Sequence, residues 1–339
     1  MNNRCKHIDI AKGIGIILVV LGHSVPHNTY LGMVIYSFHM PLFFLLSGVF
    51  AKTSEKEKLF PFLKKNIKQL IVPYIVFIII GILVNLSVPQ WREAVNVENI
   101  KSALIYCNPY FWKSTSALWF LIALFEVRIV FYLYHKLILS KNNILVNILS
   151  LFVLFIVGCY IKSIEFHFGL FLPFMFKSSV MSTAFYSLGY LLKNEFKNTD
   201  LFKKKIGIFM TLGCVLVTII SPKLNGEVNL GSCNYNNVVL FVFFAFSGII
   251  ATLGISSFLE NKTDKILLFA GKESMTIYLV HQLVKAYIIL FIEKALHIVW
   301  DEALFCQRLA VFLFTLCLSV LLAYFYSKIK NRKKDNYRC

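Results

Sequence analysis

Asp9, Lys12 and His23 lie within residues 8–25, an apolar segment long enough to enter a bilayer. A helix turns about 100° per residue, so Lys12 and His23 fall within about 20° of each other and roughly 16 Å apart along its axis. Asp9 lies about 40° to the other side of His23, so all three share one stripe. An ionisable group in a spanning segment costs about 2.5–3.5 kcal/mol. A stripe of three therefore marks a functional site: an imidazole that acts as base or nucleophile, a cation for an anionic group and a carboxylate.

Other apolar segments repeat the pattern. Tyr36-Ser-Phe-His39-Met-Pro41 places His39 in the second segment, where Pro41 frees a carbonyl and Ser47-Gly48 admits a neighbouring helix. The fourth carries Glu126 and Arg128, which point apart on a helix, so each needs a partner elsewhere. Glu126 is a candidate to orient a histidine or complement Lys12, and Arg128 to bind an anionic cofactor; a structural ion-pair network is the alternative. In the ninth, Ser274, Tyr278, His281 and Lys285 step by helical intervals and form a second polar stripe, lining a substrate path or a structural network. Together His23, His39, Glu126 and His281 predict a polar cavity in a helix bundle. The three histidines come from different segments without metal-ligand spacing, so no metal is expected. Histidine general-base or nucleophilic chemistry remains, with His23, His39 and Glu126 as catalytic candidates.

The elements that must position these groups follow from composition. The 339 residues are 58% hydrophobic and only 15% charged, against about one quarter charged in ordinary globular domains. The apolar runs are continuous, without the alternation of a β-barrel. We therefore expect a single all-α polytopic membrane domain over residues 1–339, with about ten spans. These are approximately 8–25, 30–50, 69–88, 116–135, 144–161, 169–192, 206–222, 237–258, 273–293 and 303–327. The net charge of +18 does not point to nucleic acid, because the charges sit in short loops between the spans. With the N-terminus inside, 24 of the 35 Lys and Arg residues fall on the inner side and six on the outer. The positive-inside rule thus makes both termini cytoplasmic. No signal-peptide cleavage pattern precedes the first span, which is read as retained.

Residues 51–69 read as a basic, amphipathic inner-surface helix interrupted at Pro61. Like the tail 328–339, it suits anionic membrane lipid. In the outer loop 89–115, Trp91, Tyr106, Tyr110, Phe111 and Trp112 read as an interfacial aromatic belt or, alternatively, a carbohydrate platform. The eight cysteines form no C-x-x-C pair; Cys107 and Cys233 are placed outside as free thiols or a pair.

Four motifs carry a resemblance. Asp9-x-x-Lys12-Gly13 with Gly22-His23-Ser24, F-H-M-P-L-F-F-L-L-S-G at 38–48, L-W-F-L-x-A-L-F at 118–125 and S-M-x-I-Y-L-x-H at 274–281 resemble the acyltransferase 3 family. The chain is most similar to its fucose 4-O-acetylase-like, polysaccharide O-acetyltransferase branch. The resemblance implies a multi-pass enzyme of the bacterial cytoplasmic membrane. It would take an acyl group, usually acetyl, from cytoplasmic acyl-CoA to a hydroxyl of a lipid-linked or cell-surface polysaccharide, as in capsule or exopolysaccharide O-acetylation. The family's basic residue and histidine fall on Lys12 and His23. Many members carry arginine where this chain has Lys12, and lysine lacks the bidentate fork. We expect no appended extracellular hydrolase-like domain, so that the bundle itself completes transfer. His23 would deprotonate the acceptor or briefly carry the acyl group. The rival readings are a transporter or flippase for a polysaccharide precursor and the same family with a succinyl donor.

Overall fold

Prolines and caps decide where the apolar segments break. The computed structural model describes residues 5–52, 58–105, 108, 112, 114–139, 143–168, 175–261, 265–301 and 304–336. Helix α1, Lys6–Ser24, ends at Val25, which is extended (φ −118°, ψ 147°) as the residue before Pro26 prefers. Thr29 caps α2, Tyr30–Tyr36, by accepting from the Gly32 N–H at 3.2 Å. The second predicted span is not one continuous helix. It breaks at Ser37-Phe38 and resumes as α3, His39–Val49. The break falls where the Pro41 ring would meet the Ser37 carbonyl, four residues back.

The predicted interruption at Pro61 is absent. Helix α4, Leu59–Asn66, passes through a π-helical turn, Ile67–Ile71, into α5, Val72–Ser87. Pro61 occupies the first turn, where its missing N–H removes no helical bond. The basic segment and the third span are thus continuous from Leu59. A short α6, Val97–Leu104, precedes α7, Trp119–Leu137, and α8, Ile144–Phe168. Then come α9, Phe176–Leu191, and the short α10, Lys193–Lys197, and α11, Asp200–Lys203. Helix α12, Lys205–Asn225, is closed by Gly226 at φ 62°, a conformation suited to glycine. The chain finishes with α13, Val238–Leu259, α14, Lys265–Lys272, α15, Ser274–Ala295, and α16, Phe305–Asn336.

Among the described residues, nine helical stretches are long and apolar enough to cross a membrane, and no strand is present. The predicted span 169–192 is represented by α9, of 16 residues, and residues 169–174 lie outside the described ones. In the outer loop, Trp112 is 1% exposed and its indole N–H donates to the Ala94 carbonyl at 2.9 Å, so it is a buried anchor and not a belt residue. Tyr106, Cys107, Tyr110 and Phe111 lie outside the described residues. Cys233 is buried, and burial pushes its thiol up from the ordinary range.

The chain divides into two compact units. The first comprises Met1–His39, Thr199–Glu227 and Phe246–Cys339. Here α1 and α14 cross backbone to backbone: a Cβ on Gly271 would strike the Asp9 carbonyl, and one on Gly13 the Leu267 carbonyl. An ion pair joins Lys203 to Glu260 at 3.2 Å.

The second unit comprises Met40–Asn198 and Val228–Ala245. Helix α9 packs there against α7 and α8 and buries Ser178, Ser179, Ser182, Thr183 and Ser187, each at most 1% exposed. Ser182 and Thr183 donate to the carbonyls four residues back at 2.7 Å, which lets a polar helix pack away from water. Lys177 pairs with Glu165 at 2.7 Å.

Candidate active site

The last turn of α1 carries His23, which is half-buried. Its ring lies 5.3 Å, centre to centre, from that of His281 on α15. The Tyr36 hydroxyl is 3.5 Å from His23 Nδ1. Tyr36 in turn meets His39 edge-on at 4.8 Å and His27 at 3.9 Å. The Lys285 ammonium donates to the His23 carbonyl. That carbonyl is among the last four of α1, which have no helical donor, so Lys285 both satisfies it and opposes the negative end of the helix dipole.

Hydrogen bonds define two of the imidazoles. His281 Nδ1 lies 2.6 Å from the Tyr278 carbonyl and His39 Nδ1 lies 2.8 Å from the Ile35 carbonyl. A carbonyl only accepts, so in each ring the proton sits on Nδ1 and the lone pair on Nε2. His281 is 0% exposed, and its Nε2 has no hydrogen-bond partner among the described residues. Leaving a buried acceptor unsatisfied costs about 1–3 kcal/mol. His27, between α1 and α2, is held below the ordinary imidazole range chiefly by burial, with Lys285 acting in the same sense and Glu227 opposing.

The two polar stripes run side by side in this unit. Asp9 and Gly13 of α1 approach Gly271, just before α15, while His23 approaches His281 and Lys285. Fourteen residues separate the two meeting points on each segment, so α1 and α15 run parallel. Lys12 and the buried Asp9 lie toward the Ser274 end; along α1 Lys12 is about 16 Å from His23, and along α15 Ser274 is about 10 Å from His281. Tyr278 contributes its carbonyl to His281 and packs its ring 5.8 Å away.

Glu126 and Arg128 belong to the second unit, and their predicted divergence holds there. Glu126 accepts from the Ser179 hydroxyl at 2.6 Å and the Met175 N–H at 3.3 Å. A serine hydroxyl and a backbone amide thus engage the carboxylate within this unit. Arg128 Nη1 donates to Asn66 Oδ1 at 2.9 Å and Gln69 Oε1 at 3.0 Å.

Sequence reasoning left out Tyr36 and His27. Tyr36 stands three residues before His39, a spacing that keeps two residues on one face across a short turn. His27 sits in a connection, where hydropathy carries no signal.

A family model described as an acyltransferase domain matches residues 6–324. A search of curated proteins found no match, and a search of solved structures found none. The match takes in nearly the whole chain, with both polar stripes and every candidate residue named above, and the helices around them have the length and apolarity of a multi-pass membrane protein. The chain belongs to the acyltransferase 3 family, the family of the acyltransferase domain, and its fold class is that of a membrane acyltransferase.

Proposed function

We propose that the protein is an O-acetyltransferase of the bacterial cytoplasmic membrane, with both termini in the cytoplasm. It takes acetyl from cytoplasmic acetyl-CoA and delivers it to a hydroxyl of a lipid-linked or cell-surface polysaccharide. The observation that carries this reading is the His23 imidazole packed against His281, whose buried Nε2 lone pair has no partner among the described residues.

In the direct route, the His23 imidazole takes the acceptor O–H proton as the oxygen attacks the thioester carbonyl. The C–S bond breaks, the C–O bond forms, and the proton passes to the departing thiolate. In the covalent route, His23 first accepts the acetyl group with release of CoA thiol, and the acceptor hydroxyl then displaces it. Either way His23 becomes cationic in transit. An N–H turned toward His281 Nε2 would then find an acceptor, because the Tyr278 hydrogen bond holds the His281 proton on Nδ1 and leaves the lone pair on Nε2. Tyr36 supplies a hydroxyl beside Nδ1. Lys12, one helix-stripe away toward the cytoplasm, is the cation for an anionic part of the donor.

Membranes containing the protein, given radiolabelled acetyl-CoA, are expected to place label in polysaccharide and release one CoA thiol per acetyl. A transporter would move sugar without releasing CoA, and a succinyl enzyme would accept only succinyl-CoA; either result overturns the reading. His281→Asn keeps a donor for the Tyr278 carbonyl but removes the Nε2 lone pair. It is expected to lower kcat about tenfold, equivalent to about 1.4 kcal/mol in the barrier, with KM for acetyl-CoA unchanged. An unaltered kcat would limit His281 to packing.

A further inference from the structure

Arg128 is a half-buried cation whose described partners are all neutral. Asn66 and Gln69 each offer it an amide oxygen. Among the described residues no carboxylate lies within ion-pair distance of it. Glu126, two residues earlier, is engaged with Ser179 and Met175. The Asn66 amide is locked in its role, because its Nδ2 donates to the Phe62 carbonyl at 2.8 Å and leaves Oδ1 for the guanidinium. Gln69 lies within the π-helical turn Ile67–Ile71, and such turns often occur at functional sites. The Arg128–Gln69 bond is open to solvent. A guanidinium held in place by neutral oxygens keeps its charge and its remaining N–H donors for an external anion.

The approach to Arg128 is also cationic. Arg128, Tyr132 and Lys136 recur every four residues on α7, with the Lys136 ammonium 4.8 Å from the Tyr132 ring centre and Phe62 stacked on that ring at 4.6 Å. Phe62 meets Tyr132 and Asn66 meets Arg128, so α4 runs antiparallel to α7. The exposed Lys58 therefore stands toward the same end as Lys136, and the exposed Lys64 and Lys65 lie between the levels of Tyr132 and Arg128. His135 and Tyr190 join at 3.1 Å, and the Lys193 ammonium lies over Tyr190. This brings the C-terminal end of α9 to the same rim, where Glu195 supplies a carboxylate.

We propose that Arg128, clamped by Asn66 and Gln69, is a preformed phosphate site, and that its ligand is the phosphate-bearing portion of the CoA donor. The assignment to a CoA donor rests on the function proposed above. The guanidinium binds phosphate oxygens through its free N–H groups, and the lysine rim draws in the remaining negative charge. An anionic lipid headgroup offers the same chemistry, so the test separates the two.

The full-length protein in nanodiscs of neutral phosphatidylcholine is titrated with CoA and with adenosine 3′,5′-bisphosphate, and its melting temperature is recorded. Arg128→Gln is expected to weaken both ligands about 10- to 100-fold, the span expected for a lost charge-assisted bond. Gln69→Glu guards against a variant that merely misfolds. It gives Arg128 an internal carboxylate, so the melting temperature should hold or rise while affinity for both ligands falls by a similar factor. Wild-type affinity in the folded Gln69→Glu and Arg128→Gln proteins would overturn the site and leave the proposed function standing. Stabilisation of the wild type, but not Arg128→Gln, by phosphatidylglycerol with no binding of CoA would assign the site to lipid and overturn the proposal. A wild type that binds neither ligand in any bilayer overturns the proposed function itself.

Discussion

His23→Ala is expected to reduce acetyl transfer by about 10²- to 10⁴-fold, the range for losing a positioned proton-transfer group. The substitution removes the only half-buried imidazole of the His23–His281 pair and leaves the fold largely untouched. The Lys285 bond goes to the His23 backbone carbonyl, which alanine retains, and α1 still ends at Val25 before Pro26. Among the described residues the lost ring contacts are with Tyr36 and His281, both of which keep other partners: Tyr36 packs on His27 and His39, and His281 bonds the Tyr278 carbonyl. Activity should therefore fall without a matching fall in protein. The measurement is radiolabel entering polysaccharide from acetyl-CoA, with membrane protein quantified in the same samples. Transfer above half the wild-type rate at equal protein level would remove His23 from the mechanism.

A large structural effect is expected where α3 and α9 cross. A Cβ on Gly48 would strike the Tyr186 carbonyl, and one on Gly189 the Leu45 carbonyl. Each obstacle is helix backbone, which cannot rotate away as a side-chain tip can, so even alanine must push the two helices apart. Apolar tails outside the helices provide no hydrophobic penalty for separation; close approach of small residues is what holds such a crossing together. Gly48→Ala is therefore expected to cost at least the upper part of the ~1–3 kcal/mol typical of overpacking, and Gly189→Ala a similar amount. Gly213 on α12 supplies the control, since a Cβ there meets nothing within 4 Å. Gly213→Ala should be neutral or stabilising by about 0.4–1 kcal/mol, through the restricted unfolded chain and the better helix propensity of alanine. Thermal unfolding in detergent compares the three; Gly48→Ala melting together with Gly213→Ala would show that the crossing tolerates a methyl group.

Much of the fold was readable because hydropathy and helical period are local properties. Continuous apolar runs establish membrane helices whatever they pack against. The i, i+3, i+4 spacing of Ser274, Tyr278, His281 and Lys285 places them on one side of any helix they form. The divergence of Glu126 and Arg128 follows from the same geometry. Pro41 pointed to a disturbed carbonyl but not to the full break at Ser37-Phe38. That break depends on whether a neighbouring structure lets the chain bend. Pro61 misled because a proline's effect depends on its position in the helix, and the helix start was set by the backbone of residues 58–59. Trp112 read as interfacial since aromatic composition alone does not tell a belt from a buried anchor. The partners of Glu126 and Arg128 were out of reach for a different reason: Ser179 is 53 residues from Glu126 and Asn66 is 62 from Arg128, separations over which no local pattern persists.

By itself, the order of residues determined that this chain is a helical membrane protein and that Lys12 and His23 share a stripe, because each conclusion needs only one helix. Its motifs also carried the resemblance to a family whose model matches residues 6–324. Only the tertiary structure decided that His23 lies against His281, that Lys285 secures the end of α1, and that Arg128 is clamped by neutral amides. Those outcomes depend on which faces of separate helices meet, and that is set by packing across the whole domain, with glycine crossings fixing how closely the backbones approach.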